Sequence, residues 1–283
     1  MKKETFINRL RTGIEQFAAK NANTLEGKDI IFFRGQPSKC QLLPSLLRTC
    51  HPDQTRRIEN RLFCDTFIIC PEYLDFSSSW EVLAMMQHYG IPTRLLDWTS
   101  SLSNALFFAT EKCQKCHKVK CRKCKDKPAL WLLAPHRMHE SFYHNTPLEE
   151  RVSITIGVDN FVEYRNCFLE NNTIDNAATK KNVIPWTWNN PIFMDIPWRN
   201  PRIKSQKGYF TFHTMKKALE EFDESSKFVL KIEMSHNDIK EVKNLLELMS
   251  ITDFDIYSDL SALSHYLKFK YHLEEEKKEK KNK

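Results

Sequence analysis

Glycine is scarce in this chain, with 6 among 283 residues, about a third of average usage. No GxGxxG and no GxxxxGKS/T stretch is present, so the two common glycine-rich phosphate cradles are excluded. Long apolar runs are missing as well; nothing approaches the roughly 18 residues of a membrane-spanning helix. The N-terminal MKKETFINRLRTGIEQFAAK begins with positive charge but interrupts its apolar residues with Asn8, Arg9, Arg11 and Glu15. Such a segment cannot form the apolar centre of a signal peptide. Its Phe6, Leu10, Ile14 and Phe17 instead recur at intervals of three and four, as one face of an amphipathic helix does. No membrane contact is expected, and the compartment expected is the cytoplasm, where thiols stay reduced.

Diffuse charge is also lacking. Lys and Arg number 43 against 36 Asp and Glu, a net +7. Residues 111–127 hold eight Lys/Arg and two acids, and residues 274–283 hold five Lys and four Glu, which leaves the remaining chain neutral. One concentrated basic element on a neutral body suggests contact with a polyanion such as RNA or DNA. Lys118, Lys120, Arg122, Lys123 and Lys125 would make that contact. A solvated, metal-stapled surface loop is the equally weighted alternative.

The same element carries Cys113, Cys116, Cys121 and Cys124 in the pattern CxxC-x4-CxxC. Two such pairs can supply four thiolates to one tetrahedral ion, and the neighbouring lysines favour thiolate formation. A closed four-thiolate zinc site leaves no open position for substrate, so the zinc expected here is structural; an iron–sulfur cluster or redox dithiols are the minor alternatives. It would trim the local charge from +6 to about +4. Cys40, Cys50, Cys64, Cys70 and Cys167 have no ligand spacing and are expected to be small buried hydrophobes.

The periodicities predict an α+β fold. Ile30–Phe33, Arg94–Trp98, Ala129–Ala134, Tyr209–His213 and Phe228–Glu233 read as strands. Helical spacing runs through Ile58, Leu62, Phe63, Phe67 and Ile68. It recurs over 80–89, ending at Gly90, and over 103–110, 237–249 and 257–270, the last with Leu260, Leu263 and Leu267. Residues 136–200 carry little periodicity and read as a packed irregular segment. The expected organisation is an N-terminal helix over 1–24, one domain over 25–270 with a Cys-rich insertion at 111–127, and a charged tail over 271–283.

Three segments put polar residues where apolar ones are expected. In Phe33-Arg34-Gly35-Gln36 a buried strand ends in an arginine, a rigid fork for phosphate or carboxylate; an internal salt bridge is the bland alternative. In QHYGIPTRLLDWTS, His88, Arg94, Asp97 and Thr99 crowd into a short stretch, a density that favours a site. In RIKSQKGYFTFH, Arg202 and Gln206 precede a strand and would form the rim of a pocket.

FFRGQ with LLPSLLR, then AMMQHYGIPTRLLDWTSSLSNALFFAT, then NPRIKSQKGYFTFH, and finally SITDFDIYSDLSALSHYL with Asp259, resemble the FRG domain family in order over residues 25–268. FFRG and DWTSSLSNALFFA further resemble the first strand and the serine–threonine–serine strand of ADP-ribosyltransferases. That resemblance implies an ADP-ribosyltransferase-like domain using NAD as substrate. Arg34, with Gly35, Gln36 and Arg202, would hold NAD, and Trp98, Thr99 and Ser100 would shape the nicotinamide pocket. Gln206 would lie by the acceptor. The chain departs from those enzymes there, having Gln206-Lys-Gly208 in place of Glu-x-Glu or Gln-x-Glu, and glutamine is no general base. Asp97 or His88 would supply that role, with Arg94 beside them. The expected function is a toxin or anti-phage effector that modifies nucleic acid, with a neutralising antitoxin as a possible partner. A metal-independent nuclease using His88, Arg94 and Asp97, and a non-catalytic nucleotide- or partner-binding module, are the alternatives.

Overall fold

The computed structural model describes residues 4–21, 31–37, 40–70, 79–114, 127–143, 190–196, 198–271 and 273. Among them, six antiparallel strands form one sheet: β1 (Phe32–Gln36), β2 (Leu95–Thr99), β3 (Ala129–Leu133), β4 (Ile192–Met194), β5 (Gly208–Phe212) and β6 (Val229–Glu233). Their spatial order is β4-β5-β2-β1-β3-β6. With helices packed against it, the sheet makes the fold α+β, as expected.

Side chains alternate between the two faces of a strand, and this sorts the core. On one face, Phe33, Leu130 and Leu132 meet Phe6, Leu10 and Phe17 of helix α1 (Phe6–Asn21). The same cluster takes in Leu106 and Phe107 of a helix that follows β2, and Val242 of one that follows β6. Farther along that face Leu95, Phe210 and Phe212 pack under a second, separate cluster that includes Trp80, Leu83 and Met86. The opposite face is covered by one cluster, with Phe32, Leu96, Trp98, Trp131 and Phe193. The seam between the first two clusters falls between β1 and β2. These two strands are in register at a single pair, Phe33 with Thr99, whereas β1 and β3 are in register over five pairs.

The helices follow from local chemistry. After α2 (Ser45–Thr49) and α3 (Pro52–Ile69) comes α4 (Ser79–His88), whose residues Trp80–Met86 are all buried. It ends at Gly90 with φ 83°. There Gly90 N donates to Gln87 O at 3.1 Å and Ile91 N to Met86 O at 2.9 Å, a left-handed glycine closing the helix. Helix α5 (Leu102–Gln114) starts where the Ser101 hydroxyl accepts from Asn104 N at 3.4 Å. It crosses β1 so closely that a Cβ on Gly35 would sit 1.8 Å from Ala105 O. The chain continues through α6 (Pro135–Tyr143), α7 (Pro201–Gln206), α8 (His236–Leu248), α9 (Asp253–Tyr257) and α10 (Leu260–Lys270). A reciprocal cap opens α8, with Ser235 N donating to Asp238 Oδ2 at 2.7 Å and Asp238 N to Ser235 Oγ at 3.3 Å.

Several expectations are corrected. The first strand runs on through Arg34 to Gln36 instead of ending at Phe33. Helix α3 forms, but it buries Thr55, Glu59, Phe63 and Thr66 and leaves Ile68 76% exposed. The reason is a buried partner for Glu59, described below. The helix expected over 257–270 is broken by Ser258 at φ 50°, and its Leu260 is exposed. Within 136–200 the described residues include α6 and β4, which aromatic and proline content had obscured. Cys40 and Cys64 are exposed and Cys50 and Cys70 half-buried, so these four are not the core residues expected. Cys167 lies outside the described residues. So do Cys116, Cys121, Cys124 and the side chain of Cys113, together with Lys118, Lys120, Arg122, Lys123 and Lys125. No helix among the described residues is long and apolar enough to cross a membrane.

Candidate active site

The seam between β1 and β2 opens into a cavity of about 260 Å3 lined by residues of β1, α4, β2, α5, α7 and α9. That is close to the lower end of small-molecule sites, about 300 Å3. Arg34 reaches across the divergence of the strands. Its Nη1 donates to the Asp97 main-chain oxygen at 2.7 Å and lies 3.4 Å from Asp97 Oδ2. The side chain is 17% exposed, and its Nε–H is buried with no hydrogen-bond partner among the described residues. Burial pulls this guanidinium below its ordinary value, with Asp97 opposing; arginine stays charged nonetheless.

The second cavity arginine arrives on α7. Asn200 Oδ1 caps that helix by accepting from Arg202 N at 3.0 Å. The Arg202 guanidinium lies over the ring of Tyr257, 4.4 Å from its centroid. Its Nε–H, too, is buried without a hydrogen-bond partner among the described residues. The tyrosine face holds the planar fork in place and limits the directions in which it can donate.

The carboxylate of Asp97 is fixed by a relay. Leu95 N donates to Thr93 Oγ1 at 3.1 Å, Thr93 Oγ1 donates to Gln87 Oε1 at 2.7 Å, and Gln87 Nε2 donates to Asp97 Oδ2 at 2.8 Å. Thr99 Oγ1 donates to the Gln206 carbonyl at 2.6 Å and accepts from Ser101 N at 2.9 Å. Gln206 Nε2 and Ser205 Oγ donate to Ile256 O at 3.3 and 2.9 Å, tying α7 to α9. Next to them, burial and then the neighbouring Arg202 push the His88 imidazole down to about 4, with Asp259 opposing. His88 is therefore neutral at pH 7.

Of the residues singled out in the sequence, Arg34, Gly35, His88, Asp97, Trp98, Thr99, Arg202 and Gln206 all line the cavity. Arg94, Gln36 and Ser100 do not. Arg94, expected beside the catalytic groups, is fully buried with its Nε 2.6 Å from Glu59 Oε2 of α3, itself fully buried. Its guanidinium stacks 4.3 Å over the Phe212 ring, so its role is to join α3 to the sheet. Gln36 points to the opposite face, where its Oε1 accepts from Trp131 Nε1 at 2.8 Å. Ser100 N donates to Lys207 O at 3.2 Å and serves the backbone. Asp259 caps α10, accepting from Ala262 N at 2.8 Å, and its charge acts on His88.

Gln87, Glu111 and Tyr257 line the cavity and were not singled out. The Tyr257 hydroxyl donates to Glu111 Oε1 at 2.6 Å. Glu111 was hidden by its place as the first residue of the basic element. Tyr257 sits 146 residues away from it, a distance no local pattern bridges.

Compared with protein families, residues 29–118 match the FRG domain. No curated protein and no solved structure matches the chain. The matched span runs from β1 to α5 and supplies Arg34, His88, Asp97, Thr99 and Glu111. The wall formed by Arg202, Gln206 and Tyr257 lies beyond it.

Proposed function

We propose that this FRG-domain chain is an NAD-dependent ADP-ribosyltransferase, acting as a toxin or anti-phage effector on nucleic acid in the cytoplasm. The observation that carries the reading is the pair of buried Nε–H groups, on Arg34 and Arg202, that belong to one cavity and have no hydrogen-bond partner among the described residues. A buried donor left unpaired costs about 1–3 kcal/mol, and a phosphate oxygen would satisfy each. Two planar forks in one cavity suit a diphosphate, which fits a dinucleotide held without a glycine-rich loop.

A cavity of about 260 Å3 would enclose the nicotinamide ribose end, with the remainder crossing the open rim. In this arrangement the Asp97 carboxylate, fixed by Gln87 and Arg34, orients ribose hydroxyls, and Thr99 and Trp98 bound the nicotinamide side. The reaction is attack of an acceptor on ribose C1′ as nicotinamide leaves. The basic element at 111–127, stapled by zinc on its four cysteines, would deliver a nucleic-acid acceptor by phosphate contact, and an antitoxin protein would restrain the activity.

The test is incubation of the full chain with NAD labelled in the adenosine moiety, together with RNA, DNA and lysate protein. Transfer of label, lost in Arg34→Ala, is the expected result. Phosphodiester cleavage without NAD would replace the reading by a nuclease. Saturable ADP-ribose binding with no turnover would replace it by a non-catalytic module.

A further inference from the structure

We propose that the outer face of helix α10 pairs antiparallel with the same face of a second copy of this chain. The inference goes beyond the transferase reading and does not depend on it.

Thirteen large apolar side chains are exposed among the described residues, and eight of them lie between Leu248 and Leu273, so the exposed apolar surface gathers around α9 and α10. One side of α10 is already occupied. Ala262 is buried, the Tyr266 ring stacks on Phe254 of α9 with centroids 6.3 Å apart, and His265 Nδ1 lies 3.6 Å from Asp253 Oδ2. At 3.6 residues per turn, Leu260, Leu263, Leu267 and Tyr271 form one stripe on the opposite side. Leu260 is 83% exposed and Tyr271 60%, Leu267 is exposed as well, and Leu263 is half-buried. A surface helix needs one apolar stripe for its own core; the second stripe of α10 faces outward at the spacing of a helix–helix seam. Residues 274–283, EEEKKEKKNK, contain no apolar side chain to cover it.

The charges beside the stripe select the occupant. Asp259 stands at the head of α10 and Lys270 at its end. They are 11 residues, about three turns, apart and so share one flank. Asp259 uses Oδ1 to cap the helix. A parallel copy would set Asp259 against Asp259 and Lys270 against Lys270. An antiparallel copy, related by a twofold axis near Ser264, sets each Asp259 against Lys270 of the second copy and each Leu263 against its Leu267. That arrangement also opposes the two helix dipoles. Such an isologous contact closes on itself as a dimer. Ser205 Oγ and Gln206 Nε2 of α7 bond to Ile256 O of α9, so pairing through α10 braces the cavity wall that carries Tyr257.

The experiment measures the mass of the full chain by sedimentation and light scattering across protein concentration. The parent is expected to pass from one chain to two as concentration rises, and its melting temperature to rise with it. Leu260→Ser with Leu267→Ser is expected to weaken association about 100-fold. At dilutions where the parent is a single chain, this variant should keep the parent's urea midpoint, because both leucines are exposed. Lys270→Glu sets a carboxylate against Asp259 of the second copy and is expected to weaken association about tenfold. Adding Asp259→Asn, which keeps a capping side chain, is expected to restore part of that loss. A parent that stays a single chain with a constant melting temperature overturns the proposal, and that is the result if another protein or another segment of this chain covers the stripe. Parent-like pairing in the leucine variant places the contact elsewhere and overturns it too. Parent-like pairing in Lys270→Glu overturns the antiparallel arrangement.

Discussion

Ala105 lies directly over Gly35: a Cβ on the glycine would stand 1.8 Å from the Ala105 carbonyl oxygen and 2.6 Å from Ala109 N. Both atoms belong to the backbone of α5, so no side-chain rotation can relieve the overlap. Helix and strand meet here backbone to backbone, with Phe33 packed under the helix cluster and Arg34 turned into the gap toward Asp97. Gly35→Ala is therefore expected to lower stability by about 3 kcal/mol and to weaken ADP-ribose binding by displacing Arg34. Denaturant melts and calorimetry check the two effects. A parent-like midpoint would mean that α5 can slide on β1 and that the glycine serves something other than this contact.

The buried pair Arg94–Glu59 is a second structural prediction. Both side chains are fully buried and 2.6 Å apart. Removing one partner strands a charge in the core, so Glu59→Gln or Arg94→Met alone is expected to cost about 3–5 kcal/mol. Replacing both with apolar residues of similar volume is expected to recover most of that loss. A double-mutant cycle in urea measures it. Additive losses in the double variant would show that the two act separately.

How far the sequence reveals this molecule follows from such contacts. Strands β3 and β5 and helix α4 were legible because their own residues set the period, and Gly90 marks the end of α4. Arg34, His88, Asp97, Thr99, Arg202 and Gln206 were legible as polar interruptions of apolar stretches. Arg94 was misplaced by the same rule. An arginine beside apolar helices must pair or act, and its partner Glu59 lies on a helix whose apolar residues pointed to a different face. Glu111 and Tyr257 escaped because their relation arises only when α9 folds back on α5. A basic stretch also masks a single acid.

The fork geometry of Arg202 gives a test of ligand class. Arg202→Lys keeps the charge but loses the flat guanidinium that lies 4.4 Å over Tyr257 and its second donor direction. ADP-ribose affinity is expected to fall about tenfold, one lost charge-assisted hydrogen bond. Adenosine, which has no phosphate, should bind the variant and the parent equally. Calorimetry with both ligands decides it, and an equal loss for adenosine would place Arg202 at the base instead of at the phosphates.

Acid sensitivity follows from two histidines. His88 is pushed down to about 4 by burial and Arg202, and His213 to about 3 by burial and Arg34. Unfolded histidine titrates near 6.5, so between about pH 4 and 6.5 the unfolded chain binds more protons than the folded one. Stability then falls as pH drops through that window and is fully present above it. His213 is the cleaner probe because it is buried, with its Nε2 3.0 Å from Thr211 Oγ1, which accepts from Trp98 Nε1 at 3.0 Å. His213→Gln can keep a hydrogen bond to Thr211 and has no proton to gain. Its melting temperature should fall less between pH 7 and pH 5 than that of the parent, since carboxylate contributions are common to both and cancel in the comparison. Equal slopes would mean that folded His213 takes up its proton as readily as the unfolded chain does, and that the charge of Arg34 does not reach it.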